Sequence, residues 1–217
     1  MNSGFDAKQG FAELVLRLRQ EGINDQPLMA AVEKTPRSLF TPPHYLEASY
    51  SRRTIPIECG ESMEGADLCV RMLHHLQLEP GQRVLDVGTG SGFAAAVMSR
   101  IVGRVVTIDR YRTLSELAAQ RYMRLGISNI VVHVGDGLAL TPEDGTFDRI
   151  LVTAAFDELP RGFADRLVSG GKMVAAIGGA GEEQILVRLT KTGSRFERED
   201  LFPVRFQSII GGSALAL

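Results

Sequence analysis

Tryptophan is absent from the 217 residues, and cysteine occurs only twice, as Cys59 and Cys69. Two cysteines build no disulfide framework, so the expected setting is a reducing one, the cytoplasm by default. Zinc is not expected: the four histidines include the neighbours His74 and His75, which are expected to point away from each other on a helix. No run of about eighteen apolar residues is present to span a membrane, and Met-Asn-Ser-Gly-Phe-Asp has no signal-peptide shape. A formal charge of −2 offers nothing to attract nucleic acid or an anionic membrane, so neither is an expected partner. Repeats and low-complexity tracts are lacking too. What remains is an ordinary globular composition, 44% apolar and 23% charged, in a chain long enough for one good-sized core.

The chain is organised around Arg83-Val84-Leu85-Asp86-Val87-Gly88-Thr89-Gly90-Ser91-Gly92. An apolar run ends in alternating glycines, and Phe93 to Ile101 then reads as an apolar helix: strand, tight turn, helix start. Glycine at 88, 90 and 92 lets backbone approach a ligand where a Cβ would obstruct it. The dinucleotide fingerprint places glycines at offsets of zero, two and five, whereas here Phe93 stands at the fifth. Val105 to Asp109 reads as a second strand ending in an acid about twenty residues beyond Gly88, placed for ribose hydroxyls. A third strand, Ile130 to Val134, is followed by Asp136-Gly137. Acids at the ends of successive strands suit a ligand with a positive centre and an adenosine, and suit a pyrophosphate badly. A nicotinamide dinucleotide is thereby disfavoured. That the acids merely cap helices stays open, most of all for Asp86.

Before the sheet, Phe11, Leu14, Val15 and Leu18 recur at helical spacing, with Gly22 as a stop. Asp25 caps a second helix carrying Pro27, Thr35-Pro36-Arg37 ends it, and Thr41-Pro42-Pro43 cannot continue any helix. Tyr45, Leu46 and Tyr50 are expected to pack this cover onto the core. Residues 52–67 are polar and aperiodic and lead into a helix from Leu68 to Leu78, a candidate lining for a site. Ser62 or Asp67 there could equally be helix caps. Beyond the glycine turn, the reading is a helix Leu114–Leu125, a strand Asp148–Ala155, a helix around Gly162–Leu167 and a strand Lys172–Ile177. A hairpin follows, Gln184–Thr190 returning through Arg195–Arg198. Alternating strands and helices imply an α/β, Rossmann-like, doubly wound and mostly parallel sheet, with ligands beyond the strands' carboxyl ends. One domain is expected: a helical cover at 1–55, a core at 56–181 and antiparallel strands at 182–217.

The glycine turn with Asp86, Asp109 and Asp136 resembles the class I S-adenosylmethionine-dependent methyltransferases. The resemblance implies S-adenosyl-L-methionine as cofactor. Asp86, Gly88, Thr89, Gly90, Ser91 and Gly92 would line its methionine part, Asp109 with Arg110 its ribose, and Asp136-Gly137 its adenine. Over nearly the whole chain, the order of features resembles the protein-L-isoaspartate O-methyltransferase family. The matching pieces include Thr35-Pro36-Arg37-Ser38-Leu39-Phe40, Val134-Gly135-Asp136-Gly137, Phe147-Asp148-Arg149-Ile150, Val152-Thr153-Ala154-Ala155, Leu159-Pro160 and Gly170-Gly171-Lys172. That family esterifies the abnormal carboxylate of isoaspartyl and D-aspartyl residues, so proteins or peptides bearing isoaspartate are the implied partners. Thr153, Ala154 and Ala155 would line the substrate, and a monomer or weak dimer is expected.

This chain departs from the family in one place that bears on chemistry. The loop before the first sheet strand usually reads Gly-x-x-Ile-Ser-Gln-Pro, with the serine in the key role. Here Met63, Glu64, Gly65 and Ala66 stand at the last four positions, and Ser62 matches a nearby threonine. Glu64 and Ser62 are therefore the candidate catalytic residues. Two like charges about 4 Å apart cost on the order of 1 kcal/mol in water and several in a partly dry pocket. Either Glu64 points away, or it is protonated, or the acceptor is an amine or hydroxyl that Glu64 could deprotonate. Binding without turnover is a further alternative. Arg52 and Arg53, just upstream, could neutralise an acidic acceptor. In the tail, Val204-Arg205-Phe206-Gln207-Ser208-Ile209-Ile210-Gly211 resembles the family's closing Val-x-Phe-Val-Pro-Leu-x-Gly, with Ser208 in place of proline. The glycine clusters at 178–181 and 211–212 read as lids or as ordinary turns.

Overall fold

The structure, a computed structural model, describes residues 6–139, 145–158, 161–179, 181–212 and 214. Leu159 and Pro160, among the matching pieces above, and Ala180 lie outside them. Two helices open the chain, α1 (Ala7–Gln20) and α2 (Gln26–Glu33). Each is capped by an aspartate: Asp6 accepts from the Lys8 amide, and Asp25 accepts from the Leu28 amide at 3.1 Å. A two-residue pair follows, β1 (Ile55–Pro56) antiparallel to β2 (Ser62–Met63), then α3 (Ala66–Leu76). The expected alternation comes next: β3 (Arg83–Val87), α4 (Phe93–Ser99), β4 (Arg104–Asp109), α5 (Arg112–Arg124), β5 (Ile130–Val134) and β6 (Phe147–Phe156). The chain finishes with β7 (Leu167–Ile177), β8 (Gln184–Thr192) and β9 (Arg195–Val204).

The main sheet runs in the order β5-β4-β3-β6-β7-β8-β9. Pairing is parallel from β5 to β7 and antiparallel for β8 and β9. Its central strands are buried on both faces, which is why they read as nearly unbroken apolar runs rather than alternating ones. Val84, Leu151, Val174 and Leu186 face one core, with Leu14, Leu28 and Leu73 from the helices. Leu85, Ile150, Met173 and Val187, one step along, face the other, with Phe163. The strand β3 sits between β4 and β6, so the direction of winding reverses at its carboxyl end, where parallel sheets open a crevice.

Four local expectations differ from the structure. Residues Arg161–Arg166 form a 3-10 segment, and Leu167 already belongs to β7, because this fully buried side chain pairs with Phe147. Gly170-Gly171 therefore form an irregularity within β7 and do not begin it: Leu167 partners Phe147, yet Lys172 partners Arg149. The helix α3 starts at Ala66 behind Gly65, with no side-chain cap, so neither Ser62 nor Asp67 caps it. Tyr45 stays exposed, whereas Tyr50 is buried and its hydroxyl accepts from the Arg37 amide at 3.1 Å.

Arg149 ties α3 to the sheet. Its side chain is buried, and its Nε donates to the Leu76 carbonyl at 2.6 Å while Nη2 donates to that of Gln77 at 3.0 Å. These are carbonyls the helix end would otherwise leave unpaired. Arg149→Leu should therefore lower unfolding free energy by about 2–3 kcal/mol in urea titrations. A loss below about 0.5 kcal/mol would show that the carbonyls are otherwise satisfied.

Candidate active site

The site is built on the turn after β3, which both neighbouring strands hold. From β4, the Asp109 carboxylate accepts from the Gly90 amide at 2.9 Å and, with its other oxygen, from Tyr111 at 2.9 Å. From β6, the Thr153 hydroxyl donates to the Gly88 carbonyl at 3.0 Å. Beneath the turn, the hydroxyls of Thr89 and Thr107 stand 2.7 Å apart, and Thr107 reaches Oδ2 of Asp86 at 2.8 Å. Gly88 and Gly92 have φ of 95° and 88°. A Cβ at Gly88 would lie 2.4 Å from the Thr153 hydroxyl, and one at Gly92 would lie 2.7 Å from that of Tyr122. The space these two glycines save is thus filled by protein side chains, a correction to the expectation that it is kept for a ligand.

Two cavities meet at this turn. The larger, about 440 Å³, runs past Gly88, Gly90, Asp109, Arg110, Asp136 and Ile209. The smaller, about 260 Å³, is bounded by Glu64, Ser91, Phe93, Arg205 and Phe206. Glu61, Ser62, Gly88, Gly90, Thr153 and Gln207 belong to both walls. The tail roofs the larger cavity. The Ala155 amide donates to the Gln207 carbonyl at 2.9 Å, and the Ile209 amide donates to the Ala155 carbonyl at 2.8 Å. Farther along, Gly212 donates to Asp136 Oδ2 at 2.6 Å and Ala214 donates to the Arg110 carbonyl at 3.1 Å. The glycines at 211–212 thus belong to an anchored strap. At the other cluster, the Glu182 amide closes a turn on the Gly179 carbonyl.

The sequence-derived residues sort into three groups. Ser62, Glu64, Gly88, Thr89, Gly90, Ser91, Asp109, Arg110, Asp136, Gly137, Thr153 and Ala154 are brought together around the two cavities. Asp86, Gly92 and Ala155 lie behind the walls: Asp86 is fully buried under the turn, Gly92 packs on α5, and Ala155 pairs with the tail. Arg52 and Arg53 line neither cavity. Arg52 is drawn away by Asp67 at 3.1 Å and Glu21 at 2.8 Å, and Asp67 is also held by Arg17 at 2.8 Å. Arg53 is exposed outside both walls. Asp136 lines the larger cavity, but its oxygens already accept from Leu138 and Gly212.

Two arginines escaped the sequence reading, and Glu61 entered it only as part of the 52–67 loop. Arg37 is wholly buried, donates to the Glu64 carbonyl and lies 4.6 Å from the Phe93 ring centroid, so it places a cation beneath the smaller cavity. The buried Cys69 thiol has its pKa pushed well up, by burial first and then by the charge of Glu64. Glu61 receives the Tyr111 hydroxyl, while burial and then the charge of Asp109 raise its carboxyl above the usual range. Arg205 lines the smaller cavity. A lone arginine after a proline, or in a tail strand, carries no spacing signal by which to find it.

A model of the protein-L-isoaspartate(D-aspartate) O-methyltransferase family matches residues 9–214. The chain is 54% identical to the protein-L-isoaspartate O-methyltransferase of Rhizobium meliloti (strain 1021), over 91% of this chain and 97% of that one. It is 41% identical to that of Parvibaculum lavamentivorans, over 96% and 95%. Its fold is similar, with a TM-score of 0.78 and 24% identity, to a Plasmodium falciparum chain solved with S-adenosyl-L-homocysteine and provisionally given the same activity. That likeness covers 91% of this chain and 97% of the other.

Burial raises the Asp86 carboxyl from an ordinary 3.8 to about 7, against the lowering effect of the Thr107 hydroxyl, with Glu64 and Asp109 adding to the rise. Between those values the folded state holds a proton that the unfolded state has lost. Its contribution to stability is therefore full below about pH 4 and is lost as pH rises through about 7. Asp86→Asn should remove that fall. Unfolding titrations at pH 5 and pH 8 should show wild type losing about 2–3 kcal/mol more than the variant; equal losses would contradict a buried neutral acid.

Proposed function

Because the chain belongs to the protein-L-isoaspartate(D-aspartate) O-methyltransferase family, we propose that it transfers a methyl group from S-adenosyl-L-methionine to the free carboxylate of isoaspartyl and D-aspartyl residues in damaged proteins. The observation that carries this reading is the pair of cavities meeting at Gly88 and Gly90, one suited to a nucleoside and one to an acceptor. The residues fit the cofactor. Asp109 faces the larger cavity where a ribose would lie, and Gly90 leaves its wall without a side chain. Arg110 adds a guanidinium whose Nε has no partner among the described residues.

When bound, the cofactor supplies an electrophilic methyl on a sulfonium, whose departure leaves a neutral thioether. The chain itself needs no general base, because the acceptor carboxylate is already a nucleophile. Its work is alignment and exclusion of water. Thr153 fixes the turn between the cavities, and the tail from Gln207 to Ile210 closes the roof. Amine or hydroxyl acceptors are not favoured by the family. Among the described residues no helix is long and apolar enough to cross a membrane. We place the activity in the cytoplasm, in a monomer or weak dimer.

Incubating the protein with labelled S-adenosylmethionine and a peptide bearing one isoaspartate should give an alkali-labile methyl ester, and the matching aspartyl peptide should give none. Equal labelling of both peptides, or of neither, would overturn the assignment. Glu64→Ser removes a negative charge from the acceptor cavity and should raise kcat/KM about five- to tenfold, which corresponds to roughly 1 kcal/mol. A fall in kcat/KM would show that Glu64 helps the reaction.

A further inference from the structure

Building on the proposed function, we infer that Arg205 seats the acceptor carboxylate, taking the part that Arg52 and Arg53 are placed too far away to play. The smaller cavity needs a cation: Glu61 and Glu64 both stand on its wall, and an anionic acceptor entering beside them meets like charge. Arg37 lies below it but is wholly buried. Arg205 is on its wall, and also on that of a neighbouring cavity with Glu182 and Glu183, and its side chain makes no ion pair or hydrogen bond among the described residues.

The backbone that carries Arg205 is clamped although its side chain is free. Val204, the last residue of β9, pairs with Gln184. The buried Gln184 side chain then brackets Phe206, its Oε1 accepting from the Phe206 amide at 2.6 Å and its Nε2 donating to the Phe206 carbonyl at 3.0 Å. One residue on, the Gln207 carbonyl is held by the Ala155 amide. An amide side chain thus continues the sheet where β9 stops, and it fixes the backbone beside an exposed guanidinium on the cavity wall. A guanidinium pairs with carboxylates through directed N–H donors, which suits it to hold one oxygen while the other faces the methyl donor.

The charge balance sets where the effect should appear. In the transfer, a carboxylate oxygen forms a bond to the methyl carbon while the S–CH₃ bond breaks, and its electron pair stays on sulfur. No proton moves, and the acceptor changes from anion to neutral ester. Arg205 therefore binds the substrate more strongly than the transition state or the product. It should lower KM without raising kcat, and it should not retain the ester.

The test is steady-state methylation of an isoaspartyl peptide by wild type, Arg205→Gln and Arg205→Lys, with S-adenosylhomocysteine affinity measured by calorimetry. Arg205→Gln should raise the peptide KM at least tenfold with kcat within about threefold. Arg205→Lys should fall between the two, and nucleoside affinity should not change. A peptide KM within twofold of wild type in Arg205→Gln would overturn the inference while leaving the proposed function intact. If wild type forms no ester, the proposed function fails, and anisotropy of a labelled isoaspartyl peptide on the S-adenosylhomocysteine complex decides Arg205 alone. Binding by wild type that Arg205→Gln loses supports the inference, and equal affinity, or none in either, overturns it.

Discussion

The arrangement depends on a turn gripped from both sides. Alone, the segment from Gly88 to Gly92 would be a flexible stretch, since glycines at positive φ have no side chains to fix them. Asp109 on one neighbouring strand and Thr153 on the other convert it into a rigid partition. That grip exists only because β3 lies between β4 and β6, where the direction of winding reverses. Sheet order, turn conformation and the two cavities are consequences of the same constraint, and an error in strand order would remove all three.

Electrostatically, the acids at the strand ends share position but not environment. Asp86 is shut beneath the turn and braced through Thr107, a structural acid whose charge burial opposes. Asp109 keeps a face on the cavity while its oxygens hold backbone amides. Asp136 is used by the tail, so the wall of the larger cavity and its roof are coupled through one carboxylate. Around the smaller cavity the balance is different. Glu61, Glu64 and Arg205 lie on its wall, while Arg37 is wholly buried.

Much of this was legible in the sequence where the signal is local. The strand from Val84 to Val87, the acid ending at Asp109 and the caps at Asp25 and Gly22 each follow from spacing or from one residue's conformational needs. Partnerships between distant residues were not legible. Arg52 reads as a site cation until Asp67, fifteen positions later on a helix, claims it. The space beside Gly92 reads as room for a ligand until Tyr122 on α5 fills it. Gln184 comes to hold Phe206, beside Arg205, only because β8 and β9 pair, and no periodicity announces a side-chain amide acting as a strand. The 3-10 segment before Leu167 reads as a helix because its apolar residues are compatible with either geometry.

The most direct test of the shared partition is a crystal structure of the protein with S-adenosylhomocysteine and an isoaspartyl peptide bound together. The ribose should rest against Asp109, the sulfur should face the junction at Gly88 and Gly90, and the peptide carboxylate should approach from the cavity of Glu64 and Arg205. A nucleoside lodged outside the larger cavity, or a peptide reaching the sulfur by another route, would contradict the account.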